Sequence, residues 1–363
     1  MVEHLYIHIP FCPHICPYCA FYKESAGKER VESFLDALLI EASRYRSLLS
    51  VRTIFLGGGT PSALSFTQME RLLSGLHEIL DLSHLEEWSI EMNPATVATD
   101  KAKLLYQAGV NRISMGVQSW NDELLKTLGR THSAQKAEES FDLLREVGFK
   151  NISVDLIFGI PGQSLSLWEK TLKKTIDLAP EHLSAYGLTY EEGTPFFHLL
   201  KHGVMKPNEH LEADQFQLAF ELLENAGYKH YEISNYAQEK FESKHNMAYW
   251  LGANYLGLGP SAFSTVEGLR WRNIADTLLY ISSTQAGETT HDFQEELSEA
   301  TLAAERAAFG LRTHYGIDFQ EAEPWRDAME KMEKENLLYR KDNRWLLTPR
   351  GRLLADSVSE IFF

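Results

Sequence analysis

Short apolar runs alternate with longer amphipathic stretches through the first half of the chain. The runs are rich in β-branched and aromatic residues, which is typical of buried β-strands, and the stretches between them have helical periodicity. The predicted strands cover residues 5–9, 53–59, 88–92, 112–118, 152–159 and 183–190, and the clearest predicted helices cover 29–49, 66–80 and 134–148.

This alternation predicts an α/β fold with a parallel sheet built from repeated βα units. About six units favour a partial (β/α)6 barrel over a closed eight-fold barrel, and a doubly wound open sheet is the alternative. We expect the barrel at residues 1–205, a second region at 206–300, and a small, largely helical domain of α+β, winged-helix-like type at 301–363. In that domain residues 302–318, 325–337 and 346–362 have wholly or partly helical patterns, and 343–351 predicts a strand that leads into a helix.

Charge and hydropathy narrow the classes of partner. The 363-residue chain has a formal net charge of −16, so it lacks the cationic excess that a nucleic-acid-binding protein needs to neutralise phosphates. No apolar stretch is long enough to span a bilayer, and the amino terminus does not have the pattern of a signal peptide. We expect a cytoplasmic protein with reduced thiols and at most peripheral contact with a membrane.

All three cysteines of the chain lie in one short segment, FCPHICPYCAFY, at Cys12, Cys16 and Cys19. Three thiols cannot all pair in disulfides, and a reducing compartment disfavours such bonds. A zinc site that adds His8 or His14 is one alternative. We favour a [4Fe–4S] cluster, because thiolates at this spacing can hold three irons and leave the fourth open to a ligand.

Polar and glycine residues follow the carboxyl ends of the predicted strands. Taken singly, each has a simpler explanation: a glycine turn makes room for packing, a carboxyl is buried and hydrogen-bonded, and an arginine is solvated. In a barrel, however, these strand ends meet on the rim that also receives the cysteine segment. They suit a ligand with ribose hydroxyls, a carboxylate and an ammonium group. The residues are Gly58, Gly59, Thr60, Glu91, Gln118, Arg130 and Asp155.

The segment CPHICPYC resembles the cysteine signature of the radical SAM superfamily. That resemblance implies a partial (β/α)6 barrel, a [4Fe–4S] cluster on the three cysteines, and S-adenosylmethionine (SAM) chelating the open iron. YIHIPFC, FLGGGTPS, SIEMNP, MGVQSW, LGRTH and DLIFGIPGQ are similar to the oxygen-independent coproporphyrinogen III oxidase branch. By the same resemblance, SAM is bound by Tyr6, Tyr18, Gly58, Gly59, Thr60, Glu91, Gln118, Arg130 and Asp155.

The second half separates two relatives within that branch. His245 opens the segment HNMAYW, which resembles the HNxxYW motif of HemW-type haem chaperones. That resemblance implies a protein that binds haem, with His245 as the iron ligand, and passes it to an apo-protein such as a respiratory protein. The oxidases carry a fourth cysteine where this chain has Phe21, which the resemblance would place close to SAM, and an extension before the first strand. We therefore favour a chaperone, with no catalytic acid or base, over the alternative of a coproporphyrinogen III oxidase.

Overall fold

The computed structural model of the protein describes residues 1–25 and 27–363. Six parallel strands, β1 to β6, form its first half, and each predicted strand is present to within a few residues. Apolar side chains of these strands, among them Leu5, Ile54 and Ile113, are fully buried between the sheet and its helices. The six strands are Val2–Ile9, Leu49–Gly58, Glu87–Met92, Arg112–Gln118, Ile152–Phe158 and His182–Gly187.

The strands pair in the order in which they occur along the chain, from β1 to β6. A doubly wound sheet would reverse its order at a switch point, whereas a barrel adds each strand to the same edge. The predicted class, a partial (β/α)6 barrel, is therefore confirmed. Its parallel register places every strand's carboxyl end on one rim.

Amphipathic helices cover the outside of this sheet. The first, for example, buries Val31, Phe34, Leu38 and Ala42, a spacing that brings one face of the helix to the core. Ser65 begins the second with a reciprocal capping box to Gln68. In chain order α1 to α8 are Lys28–Tyr45, Phe66–Ile79, Thr99–Gln107, Asp122–Thr127, Ala134–Val147, Leu165–Asp177, Pro195–Lys201 and Glu209–Asn225.

The middle of the chain extends the barrel sheet at both edges. Two strands, β7 (Lys229–Glu232) and β8 (Asn235–Ala237), continue it antiparallel beyond β6. A further strand, β9 (Tyr255–Leu258), pairs parallel with β1, on the opposite edge. No periodicity in the sequence predicted this extension, because strands of three to five residues are too short to show one. Also in this region are α9 (Lys244–Trp250), β10 (Phe263–Val266), β11 (Leu269–Asn273), α10 (Thr277–Ala286) and β12 (His291–Glu296).

A buried carboxyl group joins this extension to the barrel. Glu41, on the inner face of α1, is 1% exposed and accepts hydrogen bonds from four groups. They are the backbone amide of Gly259 at 2.9 Å, Asn273 Nδ2 at 2.7 Å, the Tyr280 hydroxyl at 2.6 Å and the Thr290 hydroxyl at 3.3 Å. Burial raises the pKa of Glu41, and these donors oppose that shift.

The C-terminal residues form a small sheet and helices with a hydrophobic core of their own, which includes Leu311, Met329, Trp345 and Phe362. Here the three stretches with helical patterns are helical over part of their length. The stretch 302–318 ends as a helix at Leu311 and closes with a short strand, because Gly316 turns the chain with φ +63°. The elements are α11 (Glu299–Leu311), β13 (Ile317–Asp318), α12 (Arg326–Lys334), β14 (Leu338–Lys341), β15 (Arg344–Leu347), α13 (Pro349–Leu353) and α14 (Ala355–Ser359).

Across the described ranges, every helix falls short of the length and apolar character that crossing a membrane would require.

Candidate functional site

The cysteine segment leaves β1 and is tied to the barrel rim at both of its ends. The amide of Glu24 donates to the Pro10 carbonyl at 2.8 Å, and the amide of Cys12 donates to the Glu24 carbonyl at 2.9 Å. Cys12 is buried, whereas Cys16 and Cys19 are partly exposed. Between these fixed ends the three thiols are therefore presented from one closed loop at the carboxyl end of β1.

The glycine turn after β2 lies against this loop. The amide of Thr60 donates to the Phe11 carbonyl at 2.9 Å, and the Thr60 hydroxyl lies 3.3 Å from Cys12 Sγ. Gly58 has φ +114°, and a Cβ there would lie 2.8 Å from the His8 ring, so a larger residue would be strained and crowded. Gly59 is similarly close to the backbone of Pro10. The turn therefore needs its glycines in order to reach the cysteine loop.

His8 forms the floor beneath that turn. Its Nε2 lies 2.9 Å from the Tyr22 carbonyl, which can only accept, so Nε2 carries the hydrogen. Burial lowers the pKa of His8 to about 4, which keeps the ring neutral, so Nδ1 accepts from the Tyr6 hydroxyl at 2.9 Å. Tyr6 also stacks on Phe55. Both nitrogens of His8 are thus occupied within the protein.

Two carboxyl groups face each other inside the barrel. Glu91 accepts from the Gly58 amide at 3.1 Å, and burial, followed by the nearby Asp155, raises the pKa of Glu91 to about 8. The oxygens of Asp155 accept from the hydroxyls of Ser114, Ser153 and Ser184 at 2.7 to 2.9 Å. Glu91 therefore holds a proton more readily than an ordinary carboxyl group, and the oxygens of both groups can accept hydrogen bonds from ligand hydroxyls.

Arg130 reaches the cysteines from the loop after α4. Its Nη2 donates to the Gly116 carbonyl at 2.8 Å, and its Nη1 lies 3.7 Å from Cys16 Sγ. The Nε atom is buried without a partner among the described residues. Gln118, at the end of β4, has φ +67°, and its side-chain amide lies beside Gly116. A Cβ on Gly116 would be 2.9 Å from Gln118 Nε2, so only glycine leaves room for this amide. The guanidinium therefore supplies positive charge beside Cys16 and a free donor for an anionic ligand.

Tyr18 lies at the outer side of the same loop, where its ring centroid is 6.2 Å from that of Phe196 in α7. Burial raises the pKa of Tyr18, while the Arg130 guanidinium acts in the opposite direction. Phe21, which the resemblance implies to lie close to SAM, is 71% exposed in the structure, and its proximity to SAM stays a prediction. The described residues contain no group of three or more His, Cys, Asp or Glu side chains placed to share a single metal ion.

The structure thus brings the predicted cofactor residues to one rim of the barrel, on five consecutive strands and the loops after them. Three thiols, a guanidinium beside one of them, backbone amides at a glycine turn, and two buried carboxyl groups fit a [4Fe–4S] cluster and SAM. Their roles as ligands stay predictions. The set comprises Tyr6, Cys12, Cys16, Tyr18, Cys19, Gly58, Gly59, Thr60, Glu91, Gln118, Arg130 and Asp155.

His245 lies elsewhere, at the amino ends of the strands. It is 1% exposed and stacks on Phe55 with ring centroids 5.3 Å apart. Its Nδ1 is 2.7 Å from the Thr53 hydroxyl, and its Nε2 is 2.9 Å from the Tyr249 hydroxyl. Burial lowers the pKa of His245 to about 3, so the ring is neutral. Its assignment as a haem ligand stays a prediction, and both of its nitrogens already have partners.

Comparisons with known proteins bear on this arrangement. Residues 6–175 match the model of the radical SAM superfamily. The chain is 36% identical to a heme chaperone HemW from Lactococcus lactis, over 98% of this chain and 96% of that protein. It is 34% identical to a heme chaperone HemW from Escherichia coli, over 99% and 97%. The chain belongs to the HemW family of the radical SAM superfamily.

The fold of this HemW-family chain also matches a solved structure of coproporphyrinogen III oxidase, HemN, from Escherichia coli. The TM-score is 0.85 at 24% identity, over 99% of this chain and 90% of that one. At this identity the match establishes a shared fold. Because the match covers 99% of this chain, the shared fold includes the sheet extension and the C-terminal region as well as the barrel.

Sequence reasoning missed two buried charged residues near the HNMAYW helix of this HemW-family chain, one of which holds that helix in place. Glu87, the first residue of β3, accepts from the backbone amides of Lys244 and His245 at 2.9 and 3.1 Å, which ties α9 to the barrel. Arg112, the first residue of β4, is 1% exposed, and its Nε and Nη1 have no partner among the described residues. A charged residue at the start of an otherwise apolar strand was the available signal in both cases.

The raised pKa of Glu91 predicts a dependence of stability on pH. The folded chain holds a proton that the unfolded chain releases above its ordinary pKa of 4.5, so this contribution is complete below that value and is lost as pH rises through about 8. Relative to Glu91→Gln, the wild type should lose up to about 1.4 kcal/mol of unfolding free energy per pH unit in this window. Urea titrations of the cluster-free chains from pH 5 to pH 8 measure it.

The exposed Glu146→Gln serves as the control for that series and should follow the wild type at every pH. Equal slopes for the wild type and Glu91→Gln would show that Glu91 is ionised in the folded chain.

Proposed function

We propose that this protein is a haem chaperone that binds haem, transfers it to an acceptor apo-protein, and carries a [4Fe–4S] cluster and SAM in its barrel. The observation that carries the proposal is the similarity over nearly the whole chain to proteins named heme chaperone HemW. That similarity covers α9 and the C-terminal region as well as the barrel. In this role haem is the cargo of the protein, whereas the cluster and SAM are its resident cofactors.

The rim residues fit the resident cofactors of the superfamily. Cys12, Cys16 and Cys19 would hold the cluster, whose bound SAM would supply an adenosyl radical on reduction. The Arg130 guanidinium, 3.7 Å from Cys16 Sγ, stabilises negative charge on that sulfur and would donate to the carboxylate of SAM. Glu91 accepts from the Gly58 amide and Asp155 from three serine hydroxyls, and the carboxyl oxygens of both would accept from the ribose hydroxyls of SAM.

The alternative, oxidative decarboxylation of coproporphyrinogen III, has weaker support. It rests on the fold shared with HemN, and one fold supports many functions. In place of the oxidases' fourth cysteine the chain has Phe21, whose side chain lies in solvent.

The acceptor of the haem is proposed as a haem-requiring apo-protein, such as a respiratory protein.

Two assays on the full-length chain with its cluster reconstituted separate these functions. The first incubates the protein with SAM, reductant and coproporphyrinogen III and follows tetrapyrroles by chromatography. The second titrates hemin and then mixes the loaded protein with an apo-globin, a generic haem acceptor. We expect hemin binding, transfer to the globin, and no decarboxylated product.

Decarboxylated product accumulating over many turnovers would overturn the chaperone proposal. Failure of the wild type to bind hemin would do so as well. The outcome is interpretable only when the cluster is shown by its absorption and iron content to be intact, so both are measured on the same sample.

A further inference from the structure

We propose that haem iron is ligated by Nε2 of His4, in a cleft at the amino end of the barrel, and that His245 positions His4 through Thr53 without touching the iron. This inference rests on the proposed function of haem binding. It assigns the site from the contacts of these three residues and from the cavity beside them.

The cleft lies between the amino ends of β1 and β2 and the outer face of α9. Its volume is about 370 Å³, within the range of ligand pockets. Much of its wall is apolar, and Leu251 stands 52% exposed at its edge. An exposed leucine beside a concave apolar wall suits the flat face of a porphyrin. The apolar wall is formed by Met247, Ala248, Leu251, Ala253 and Tyr315.

His4 is the histidine that this cleft contains. Its Nδ1 lies 2.9 Å from the Thr53 hydroxyl, and Nε2 has no hydrogen-bond partner among the described residues. Burial lowers the pKa of His4, so the ring is neutral, as an iron ligand must be. His245, in contrast, does not line the cleft and uses both of its nitrogens inside the protein.

The Thr53 hydroxyl connects the two imidazoles and can fix the tautomer of His4. In the iron-ligating arrangement, His4 Nδ1–H donates to Thr53 Oγ1, and the Thr53 hydrogen goes to Nδ1 of His245. His245 Nε2–H then donates to the Tyr249 hydroxyl. The hydrogens on His4 Nδ1, the Thr53 hydroxyl and His245 Nε2 each have an acceptor, and the lone pair of His4 Nε2 is left for the metal. Histidine ligands of metals are commonly held in this way by a hydrogen bond at their other nitrogen.

Charged groups at the mouth of the cleft can meet the propionates of haem. Arg52 and Lys244 both line it, and both are paired with Glu86. These pairs are about half exposed to solvent, so they contribute little to stability, and the cations can exchange a carboxylate of the protein for one of the ligand. A haem held here would keep one edge in solvent. An acceptor protein could reach the haem at that edge, which a protein that transfers haem requires.

The cleft and the cofactor rim lie at opposite ends of the barrel. From His4 to Ile9, β1 rises about 17 Å before the cysteine loop begins. Haem in the cleft is therefore outside contact distance of a radical generated at the rim. This separation suits a carrier whose cargo is not the substrate of the cluster.

Hemin titrations of the full-length chain, followed by Soret absorbance and by EPR of the ferric haem, test the assignment. We expect His4→Ala to weaken binding more than about tenfold and Thr53→Val about 10-fold to 100-fold, as for residues that orient a metal ligand. Free imidazole should restore the histidine-ligated spectrum to His4→Ala. Ala253→Trp should weaken hemin binding, because the indole would fill the cleft although His4 is still present. The exposed His84→Ala is the control and should bind as the wild type does.

The decisive comparison is between His4→Ala and His245→Ala, each checked for folding by circular dichroism. Under this proposal His245→Ala binds hemin more weakly but keeps the histidine-ligated EPR signature, whereas His4→Ala loses it. A wild-type signature in His4→Ala together with its loss in His245→Ala would overturn the assignment and leave haem binding intact. Absence of hemin binding by the wild type would instead overturn the proposed function, and this inference with it.

Discussion

Replacing Cys16 with alanine should leave the protein unable to hold a [4Fe–4S] cluster. The chain has three cysteines, all on the loop after β1, so no other thiol can take the place of the missing ligand. A cluster with only two protein thiolates would expose two irons to solvent. We expect iron and acid-labile sulfide to fall to background after anaerobic reconstitution, and the brown absorption to disappear.

The control for this experiment is Phe21→Ala, in the same loop. The Phe21 side chain is 71% exposed, so its removal should change neither the iron content nor the absorption spectrum. Retention of a full cluster by Cys16→Ala would contradict the assignment of all three cysteines. A colourless wild-type protein that binds zinc instead would support the zinc alternative.

Replacing Glu41 with alanine should destabilise the protein by roughly 2–5 kcal/mol, because it removes the shared acceptor of a buried hydrogen-bond network. The carboxyl group accepts from four buried donors: one directly after β9, one at the end of β11, one in α10 and one after α10. Without it the Gly259 amide and the Tyr280 hydroxyl lose their acceptor, and each unsatisfied group costs about 1–3 kcal/mol before relaxation. Asn273 Nδ2 keeps the Gly259 carbonyl, and the Thr290 hydroxyl keeps Asn273 Oδ1. Urea-induced unfolding measured by circular dichroism gives the change.

Two variants control for the loss of the side chain itself. Glu41→Gln keeps the shape and one acceptor oxygen, so it should retain most of the stability. Glu29→Ala removes an exposed glutamate from the same helix and should cost less than about 1 kcal/mol. If Glu41→Ala unfolds at the same urea concentration as Glu29→Ala, the network contributes nothing to the attachment of the extension.

The sequence alone determined the barrel and its rim. Long strands and helices have regular periodicity, and this periodicity located β1 to β6 to within a few residues. Parallel βα units also fix which strand ends meet, so Cys12, Gly58, Glu91, Arg130 and Asp155 could be placed on one rim from their positions alone. The local sequence is sufficient here because a residue's position on the rim depends only on where its own strand ends.

Only the tertiary structure decided what lies at the other end of the barrel. The HNMAYW motif drew attention to His245, but its burial and its bond to Thr53 depend on residues almost 200 positions apart in the chain. His4 had no motif around it, and Glu41 looked like any other charged residue on a helix. Their neighbours come from strands and helices far away in sequence, and only packing brings a free imidazole to a cleft or four donors to one carboxyl group.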